Sequence, residues 1–198
     1  MKKALILVDC QNDFFEGGAL PVPNSNKIIS NLQILLLNAQ FDEEIVAVIA
    51  TRDLHPDDTK HFEKWPYHCL AYGDEDGGAM FHPALWLDGA TMVTKGTSTE
   101  DDGYSGFEGT TDTGQTLEEF LKEQEIEHVL IAGLATDYCV NATALDAVKL
   151  FKTTVITNAC AAVNLQPEDE LNALHEMRDA GVELVTMKFT IKTEQEAV

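Results

Sequence analysis

Basic residues are scarce in this sequence. Its 198 residues include 13 lysines and arginines against 34 aspartates and glutamates, which gives a formal net charge of −21 at pH 7. A surface that binds nucleic acid or an anionic membrane needs clustered basic side chains, so this balance argues against both kinds of partner. We expect the excess acidic residues to form a solvated surface.

Paired cysteines and long apolar runs are also missing. The four cysteines lie far apart and form no C-x-x-C motif, so we expect reduced thiols in a cytoplasmic protein rather than a disulfide framework. The first apolar run ends after five residues at Asp9, which is too short for a signal peptide. No run reaches the length of a transmembrane helix. Any functional cysteine is therefore expected to be a reactive thiol.

Apolar residues nevertheless make up 44% of the chain and occur in short runs that alternate with amphipathic segments. This alternation is typical of parallel β-α-β units. We expect one domain over residues 1–198, a three-layer α/β/α sandwich with a mostly parallel sheet of about six strands. The predicted strands are Ala4–Asp9, Ile45–Asp53, Thr91–Lys95, Val129–Gly133, Thr153–Thr157 and Glu183–Thr186. The predicted helices are Asn26–Asn38, Thr113–Gln124, Tyr138–Leu150 and Pro167–Ala180.

The segment from about residue 53 to residue 90 interrupts this alternation. Between His55 and Leu87 it contains three prolines and three glycines and has no clear period. Long irregular segments of compact domains are usually functional or disordered. Two tryptophans, Trp65 and Trp86, favour an ordered segment. We therefore expect it to contribute to a functional site.

Polar side chains stand at the carboxyl ends of the predicted strands, where parallel sheets bind ligands. Asp9, Asp53 and Lys95 end the first three strands, and Cys139 follows the fourth at the start of a helix. Unpaired N–H groups at a helix N-terminus lower the pKa of a thiol, so Cys139 is a candidate thiolate. Asp9 is a candidate base for its proton, and Lys95 a candidate cation beside Asp9. Each residue also has a plain structural alternative. Cys139 could be a buried structural thiol, Asp9 a solvated acid, and Lys95 a lysine that extends its ammonium to solvent.

A set of metal-ligand side chains begins at the end of the second strand. Asp53 and His55 point to the same side of an extended segment because side chains alternate along it. His61 and His68 follow in the irregular segment. One carboxylate with up to three imidazoles suits a divalent zinc, manganese or iron ion with open coordination positions. A single histidine is more often structural, but four candidates within sixteen residues favour a metal site.

Eight motifs follow one another along nearly the whole chain. They are DCQNDF at 9–14, GGAL at 17–20, TRDLHP at 51–56, WPYHC at 65–69, FHP at 81–83, KG at 95–96, YSGFEG at 104–109 and GLATDYCV at 133–140. This set resembles the nicotinamidases of the isochorismatase-like hydrolase superfamily. The WPYHC motif and the metal ligands favour nicotinamidases over the metal-free isochorismatases.

The resemblance implies a catalytic triad of Cys139, Asp9 and Lys95. Its implied reaction is the hydrolysis of nicotinamide to nicotinate and ammonia through a Cys139 thioester, in NAD salvage, with pyrazinamide as a further substrate. A cis peptide bond between Leu134 and Ala135 is also implied. The backbone N–H groups of Ala135 and Cys139 would then face the oxyanion.

The resemblance further implies one divalent ion, zinc in the first place with iron or manganese as alternatives. Its ligands would be Asp53, His55 and His68, with His61 as a fourth ligand in some relatives. Only three residues separate His61 from Trp65, fewer than in many relatives, which leaves the role of His61 open. Five residues match positions in or near the substrate pocket: Phe14, Trp65, Tyr104, Leu134 and Tyr138.

Two alternative functions stay open. The chain could hydrolyse another small amide within the same superfamily, or it could be a non-catalytic binding module that keeps the fold. A complete triad argues against the binding module. A homo-oligomer in which the irregular segment packs against a neighbouring subunit is also compatible with the sequence.

Overall fold

A seven-stranded sheet forms the centre of the computed structural model, which describes residues 1–73, 77–100 and 102–187. The strands are β1 (Lys3–Val8), β2 (Ile45–Asp53), β3 (Thr91–Lys95), β4 (Thr110–Thr111), β5 (His128–Leu134), β6 (Lys152–Ala161) and β7 (Glu183–Val185). Their order across the sheet is β4-β3-β2-β1-β5-β6-β7. Neighbouring strands are parallel, except that β4 runs antiparallel to β3.

Helices cover both faces of this sheet, as consecutive apolar residues in the central strands require. The helices are α1 (Ile29–Phe41), α2 (Leu117–Glu123), α3 (Cys139–Ala147) and α4 (Asp169–Asp179). Along β1, Ile6 packs in the core under α2, α3 and α4, whereas its neighbours Leu5 and Leu7 pack in the core under α1. This alternation follows from the two-residue period of a strand. The predicted α/β class with a mostly parallel sheet is confirmed.

Several details differ from the prediction. The sheet has seven strands rather than about six, because the two-residue β4 pairs with the edge of β3. Strand β6 continues to Ala161 instead of ending at Thr157, and α3 ends at Ala147, three residues before Leu150. Helix α1 starts at Ile29, after a short 3-10 turn. The last turns of helices and the ends of strands carry little apolar signal, so their bounds are poorly marked in the sequence.

The irregular segment between β2 and β3 is tied to the sheet at several points. A 3-10 turn spans Lys60–Glu63, and isolated β-bridges pair His55 with Leu70 and Gln11 with Phe81. These contacts place the segment over the carboxyl end of the sheet. Within the described ranges, no helix combines the length and the apolar character needed to cross a membrane.

Candidate active site

A cavity lies where the carboxyl ends of β1, β2 and β5 meet the irregular segment. Asp9 follows β1, Asp53 ends β2 and Leu134 ends β5. The predicted pocket residues all line this cavity, and three lining residues were not predicted from the sequence: Leu20, Val22 and Val163. The full lining is Asp9, Phe14, Leu20, Val22, Asp53, His61, Trp65, His68, Tyr104, Leu134, Ala135, Tyr138, Cys139 and Val163.

Lys95 lies fully buried below the cavity, bound by acidic groups. Its Nζ is 2.8 Å from Asp9 Oδ2 and 2.5 Å from Asp53 Oδ1, and it donates to the carbonyl oxygen of Gly103 at 2.6 Å. Asp53 and Lys95 are register partners on β2 and β3, so their side chains point to the same face. The Nζ atom also lies 3.6 Å from Cys139 Sγ. Burial alone would lower the pKa of Lys95, but the carboxylates outweigh it and raise that pKa well above its usual value.

The two carboxylates that share this ammonium differ in their titration. Burial raises the pKa of Asp9, although Lys95 and the Thr51 hydroxyl, which donates to Asp9 Oδ1 at 2.6 Å, oppose the rise. Burial acts on Asp53 too, but the closer Lys95 and the neighbouring His55 outweigh it and hold the pKa of Asp53 below its usual range. Asp9 is therefore the carboxylate better suited to accept a proton, and Asp53 the one that stays ionised.

Cys139 occupies the first position of α3 and faces both carboxylates. Its Sγ and carboxylate oxygens of Asp9 and Asp53 lie within 4.8 Å of one another. Burial raises the pKa of the Cys139 thiol well above its usual value, and the Lys95 ammonium only partly offsets this rise. Burial therefore opposes the lowering of this pKa that the position at a helix N-terminus predicts. A buried thiol of this kind needs a base such as Asp9 before it can act as a nucleophile.

The backbone between β5 and α3 has the predicted cis peptide bond at Leu134-Ala135. The carbonyl oxygen of Ala135 accepts hydrogen bonds from the N–H groups of Tyr138 and Val140, both at 3.0 Å. Cys139 begins α3, and the N–H of a first helical residue has no acceptor inside its own helix. This N–H stays a candidate oxyanion donor beside the thiol.

Three imidazoles, His55, His61 and His68, form a histidine cluster on the other side of the cavity, with ring nitrogens within 4.8 Å of one another. His55 Nδ1 lies 2.9 Å from the carbonyl oxygen of Gly96, and His68 Nδ1 lies 2.7 Å from that of Pro66. A carbonyl oxygen only accepts, so both Nδ1 atoms carry a proton, and Nε2 is the nitrogen of each ring that is left to bind a metal ion.

Two observations indicate that the histidine cluster is suited to bind a divalent metal ion. The Nε2 atom of His55 is buried and has no hydrogen-bond partner among the described residues, and it lies 3.8 Å from Asp53 Oδ2. Burial lowers the pKa of His68 to about 4, so this imidazole is neutral near pH 7 and free to coordinate. Buried lone pairs without donors, next to an ionised carboxylate, are the donor set of a zinc, iron or manganese site.

Gln11 and Asp13, which were not predicted as site residues, hold the backbone on the metal side of the cavity. The Gln11 side chain accepts from the N–H of Asp53 and donates to its carbonyl oxygen, both at 2.8 Å. The Asp13 carboxylate accepts the N–H of Cys69, the residue after His68, at 2.7 Å. Their place in the DCQNDF motif was the only signal for these roles, since both depend on contacts between distant segments.

Aromatic rings form one wall of the cavity. Trp65 Nε1 donates to the Tyr104 hydroxyl at 3.1 Å, and the Trp65 ring packs edge-on against Tyr138 with centroids 5.2 Å apart. Phe14 contacts the His68 ring at a centroid distance of 5.4 Å. Flat, rigid walls of this kind suit a flat ring as ligand.

The contact between Gly96 and His55 gives a prediction for the metal side. Gly96 has φ +67°, and a Cβ atom there would lie 2.4 Å from His55 Cε1. Gly96→Ala should therefore displace His55 and weaken zinc binding. It should also lower the free energy of unfolding by about 1–3 kcal/mol beyond the loss that backbone strain alone would cause. Gly89→Ala is the matched control, because Gly89 has φ +81° and no atom within 4 Å of an added Cβ. Zinc titration and denaturant unfolding would measure both variants, and equal losses would contradict the clash.

The fold and the site define a class of protein: an α/β enzyme with a thiol, a carboxylate and an ammonium at the carboxyl edge of a parallel sheet, beside a histidine cluster. The isochorismatase domain model matches residues 3–189. The chain therefore belongs to the isochorismatase family.

Curated relatives and a solved structure are similar over most of their length. The chain is 37% identical to the nicotinamidase of Escherichia coli, covering 93% of this chain and 95% of that one. It is 38% identical to the nicotinamidase/pyrazinamidase of Mycobacterium tuberculosis, covering 92% and 98%. The crystal structure of the pyrazinamidase of Pyrococcus horikoshii in complex with zinc superposes with a TM-score of 0.82 at 38% identity, covering 94% and 100%.

Proposed function

We propose that this chain is a metal-dependent nicotinamidase that hydrolyses nicotinamide to nicotinate and ammonia in NAD salvage, and that it also accepts pyrazinamide. The observation that carries the proposal is one cavity whose lining includes both Asp9 and Cys139 on one side and His61 and His68 on the other. The similarity to nicotinamidases and pyrazinamidases supports the same substrate class.

Acylation begins at the buried thiol. Asp9 accepts the thiol proton, and the Cys139 sulfur forms a bond to the carboxamide carbon while the C=O electron pair moves onto oxygen. The backbone N–H of Cys139, with that of Ala135, would stabilise this oxyanion. When the C=O bond re-forms, the C–N bond breaks and Asp9 returns its proton to the departing nitrogen. Ammonia leaves, and the acyl group stays on Cys139 as a thioester.

Deacylation uses the same proton carrier. Asp9 takes a proton from a water molecule, whose oxygen bonds to the thioester carbon. The C–S bond then breaks as the C=O bond re-forms, and the proton held by Asp9 passes to the Cys139 thiolate. The product leaves as nicotinic acid and loses its remaining acidic proton to solvent, which gives nicotinate. Lys95 keeps its proton throughout, because two carboxylates and a carbonyl oxygen bind its ammonium. Its charge counters the negative charge that moves between Asp9 and sulfur.

The metal site would hold and polarise the ring. We propose that Asp53, His55, His61 and His68 are its ligands and that zinc is the ion, with iron or manganese as alternatives. A divalent ion held there would coordinate the pyridine nitrogen and withdraw electron density from the carboxamide. The aromatic wall would hold the ring flat and exclude water.

An ammonia-release assay with four amides tests the function. We expect hydrolysis of nicotinamide and pyrazinamide, and at least about a hundredfold lower kcat/KM for benzamide, which has the same ring size but no ring nitrogen. A carbamoyl substrate such as N-carbamoylsarcosine should be poor. Preference for the carbamoyl substrate would indicate the alternative small-amide hydrolase, and no turnover of any amide would indicate a binding module.

Metal removal gives a separate prediction. Chelation should raise the KM for nicotinamide by about tenfold or more, because the ring nitrogen loses its binding partner. Added zinc should restore the original value. The Cys139 thiol is not part of the histidine cluster, so the rate of its alkylation should be unchanged in the metal-free protein. An enzyme whose KM is indifferent to chelation would contradict the proposed role of the metal.

A further inference from the structure

The members of the histidine cluster differ in what their Nδ1 atoms contact. His55 and His68 donate to backbone carbonyl oxygens. His61 Nδ1 instead lies 3.0 Å from a carboxylate oxygen, Oδ1 of Asp102. A carboxylate that accepts from a ligating histidine fixes its tautomer and ring orientation and makes its other nitrogen a stronger ligand.

Asp102 is itself held in place by the residue that follows the turn carrying His61. Lys64 Nζ lies 2.8 Å from Asp102 Oδ2, and the N–H of Lys60 donates to the carbonyl oxygen of Thr99 at 3.1 Å. The Lys64 side chain is 62% exposed, so its ion pair contributes little energy. His61, by contrast, is buried. The contact of consequence is therefore the one between Asp102 and the imidazole.

His61 differs from His55 in how its backbone is held. His55 lies two residues after the end of β2. Its N–H donates to the carbonyl oxygen of Cys69, and its own carbonyl oxygen accepts from the N–H of Ala71, both at 2.8 Å. His61 lies in a four-residue 3-10 turn. Its ring stacks on that of His55 with centroids 4.4 Å apart, a contact that still allows a half-turn about the Cβ–Cγ bond, which keeps the ring plane but moves both ring nitrogens. A fixed hydrogen-bond acceptor removes that freedom.

We propose that Asp102 is a positioning residue of the metal site: its carboxylate holds His61 with Nε2 turned toward His55 and His68 and so sets the affinity for a divalent ion. This inference rests on the proposed metal site. It assigns His61 as a ligand whose strength depends on Asp102, in contrast to the two ligands that are oriented by the backbone.

Zinc affinity of the full chain, measured by competition with a chromophoric chelator, tests the proposal. Asp102→Ala should lower the affinity about 10- to 100-fold. Asp102→Asn, which keeps an acceptor oxygen without the charge, should lose less. In a His61→Ala background, Asp102→Ala should cause no further loss, because the two residues act through one ligand. The visible absorption of bound Co²⁺ should shift in Asp102→Ala toward the spectrum of His61→Ala, which a merely structural role would not produce.

Glu100→Ala is the matched control. It removes a carboxylate of the same loop, one that forms an ion pair with the exposed Lys60 of the same turn. Its zinc affinity should stay within about twofold of the unaltered chain. Equal losses in Glu100→Ala and Asp102→Ala, or additive losses with His61→Ala, would overturn the proposal. Normal zinc binding by Asp102→Ala would overturn this inference alone, whereas failure of the unaltered chain to bind Zn²⁺ or Co²⁺ would overturn the metal site as well.

Discussion

Replacing Cys139 with alanine is expected to abolish ammonia release from nicotinamide, with kcat lowered about 10⁴-fold or more. The thiol is the atom that bonds to the carboxamide carbon, and no neighbouring group can replace it: Asp9 and Lys95 carry protons and charge but are bound to each other. Zinc should still bind, because the histidine cluster does not include this sulfur. A coupled ammonia assay and a zinc titration on the same sample would measure both results.

Cys160→Ala provides the control for this variant. Cys160 is also a buried thiol, on β6, and burial raises its pKa to about 12, but it does not line the active-site cavity. We expect its turnover to stay within a few-fold of the unaltered enzyme. Near-normal turnover in Cys139→Ala would show that the reaction does not pass through a thioester. Rapid quenching of the unaltered enzyme should, in turn, yield a nicotinoyl adduct on the peptide that contains Cys139.

The sheet was largely predictable because its central strands are buried on both faces. Ala4 to Val8 are all at most 1% exposed, and a run of consecutive apolar residues is the signal of such a strand. Strand β4 gave no such signal. Its two threonines pair with β3 only because the backbone reaches the sheet edge there, and that depends on the path of the chain between distant elements.

The chemical groups of the site were predictable, but their charge states and supports were not. Residues at strand ends meet at one edge of a parallel sheet, so Asp9, Asp53 and Lys95 could be grouped from the sequence. That Lys95 binds Asp53 as well as Asp9 follows from the strand register. The raised pKa of Cys139 follows from burial, and Asp102 lies 41 residues from His61. None of these effects has a local pattern.

Removing the ammonium of Lys95, which Asp9 and Asp53 share, is the second change for which we expect a large effect. Lys95→Met keeps the length of the side chain but leaves Asp9 and Asp53 buried beside each other without a cation. Breaking such an arrangement should lower the free energy of unfolding of the metal-free protein by about 3–5 kcal/mol. For a chain of this size, that loss lowers the melting temperature by roughly 6 to 20 °C. Turnover should be lost too, because Asp9 would hold a proton at rest and could not accept one from Cys139.

The pH dependence of this loss of stability shows whether its cause is the missing positive charge of Lys95 or the missing packing of its side chain. In the unaltered chain the pKa of Asp53 is held below its usual value, so its stabilisation is complete above about pH 4 and is lost as the pH falls further. In Lys95→Met the ammonium no longer opposes burial, so both carboxyl pKa values rise relative to the unaltered chain, and the folded variant gains more stability than the unaltered chain as the pH falls. The stability gap between the two proteins should therefore narrow from pH 7 to pH 4.5. Lys122→Met, which breaks an exposed pair with Glu118 on α2, should cost about 0.5 kcal/mol or less and show no such narrowing. A gap that stays constant or widens on acidification would mean that Lys95 stabilises the fold by packing and not by its charge.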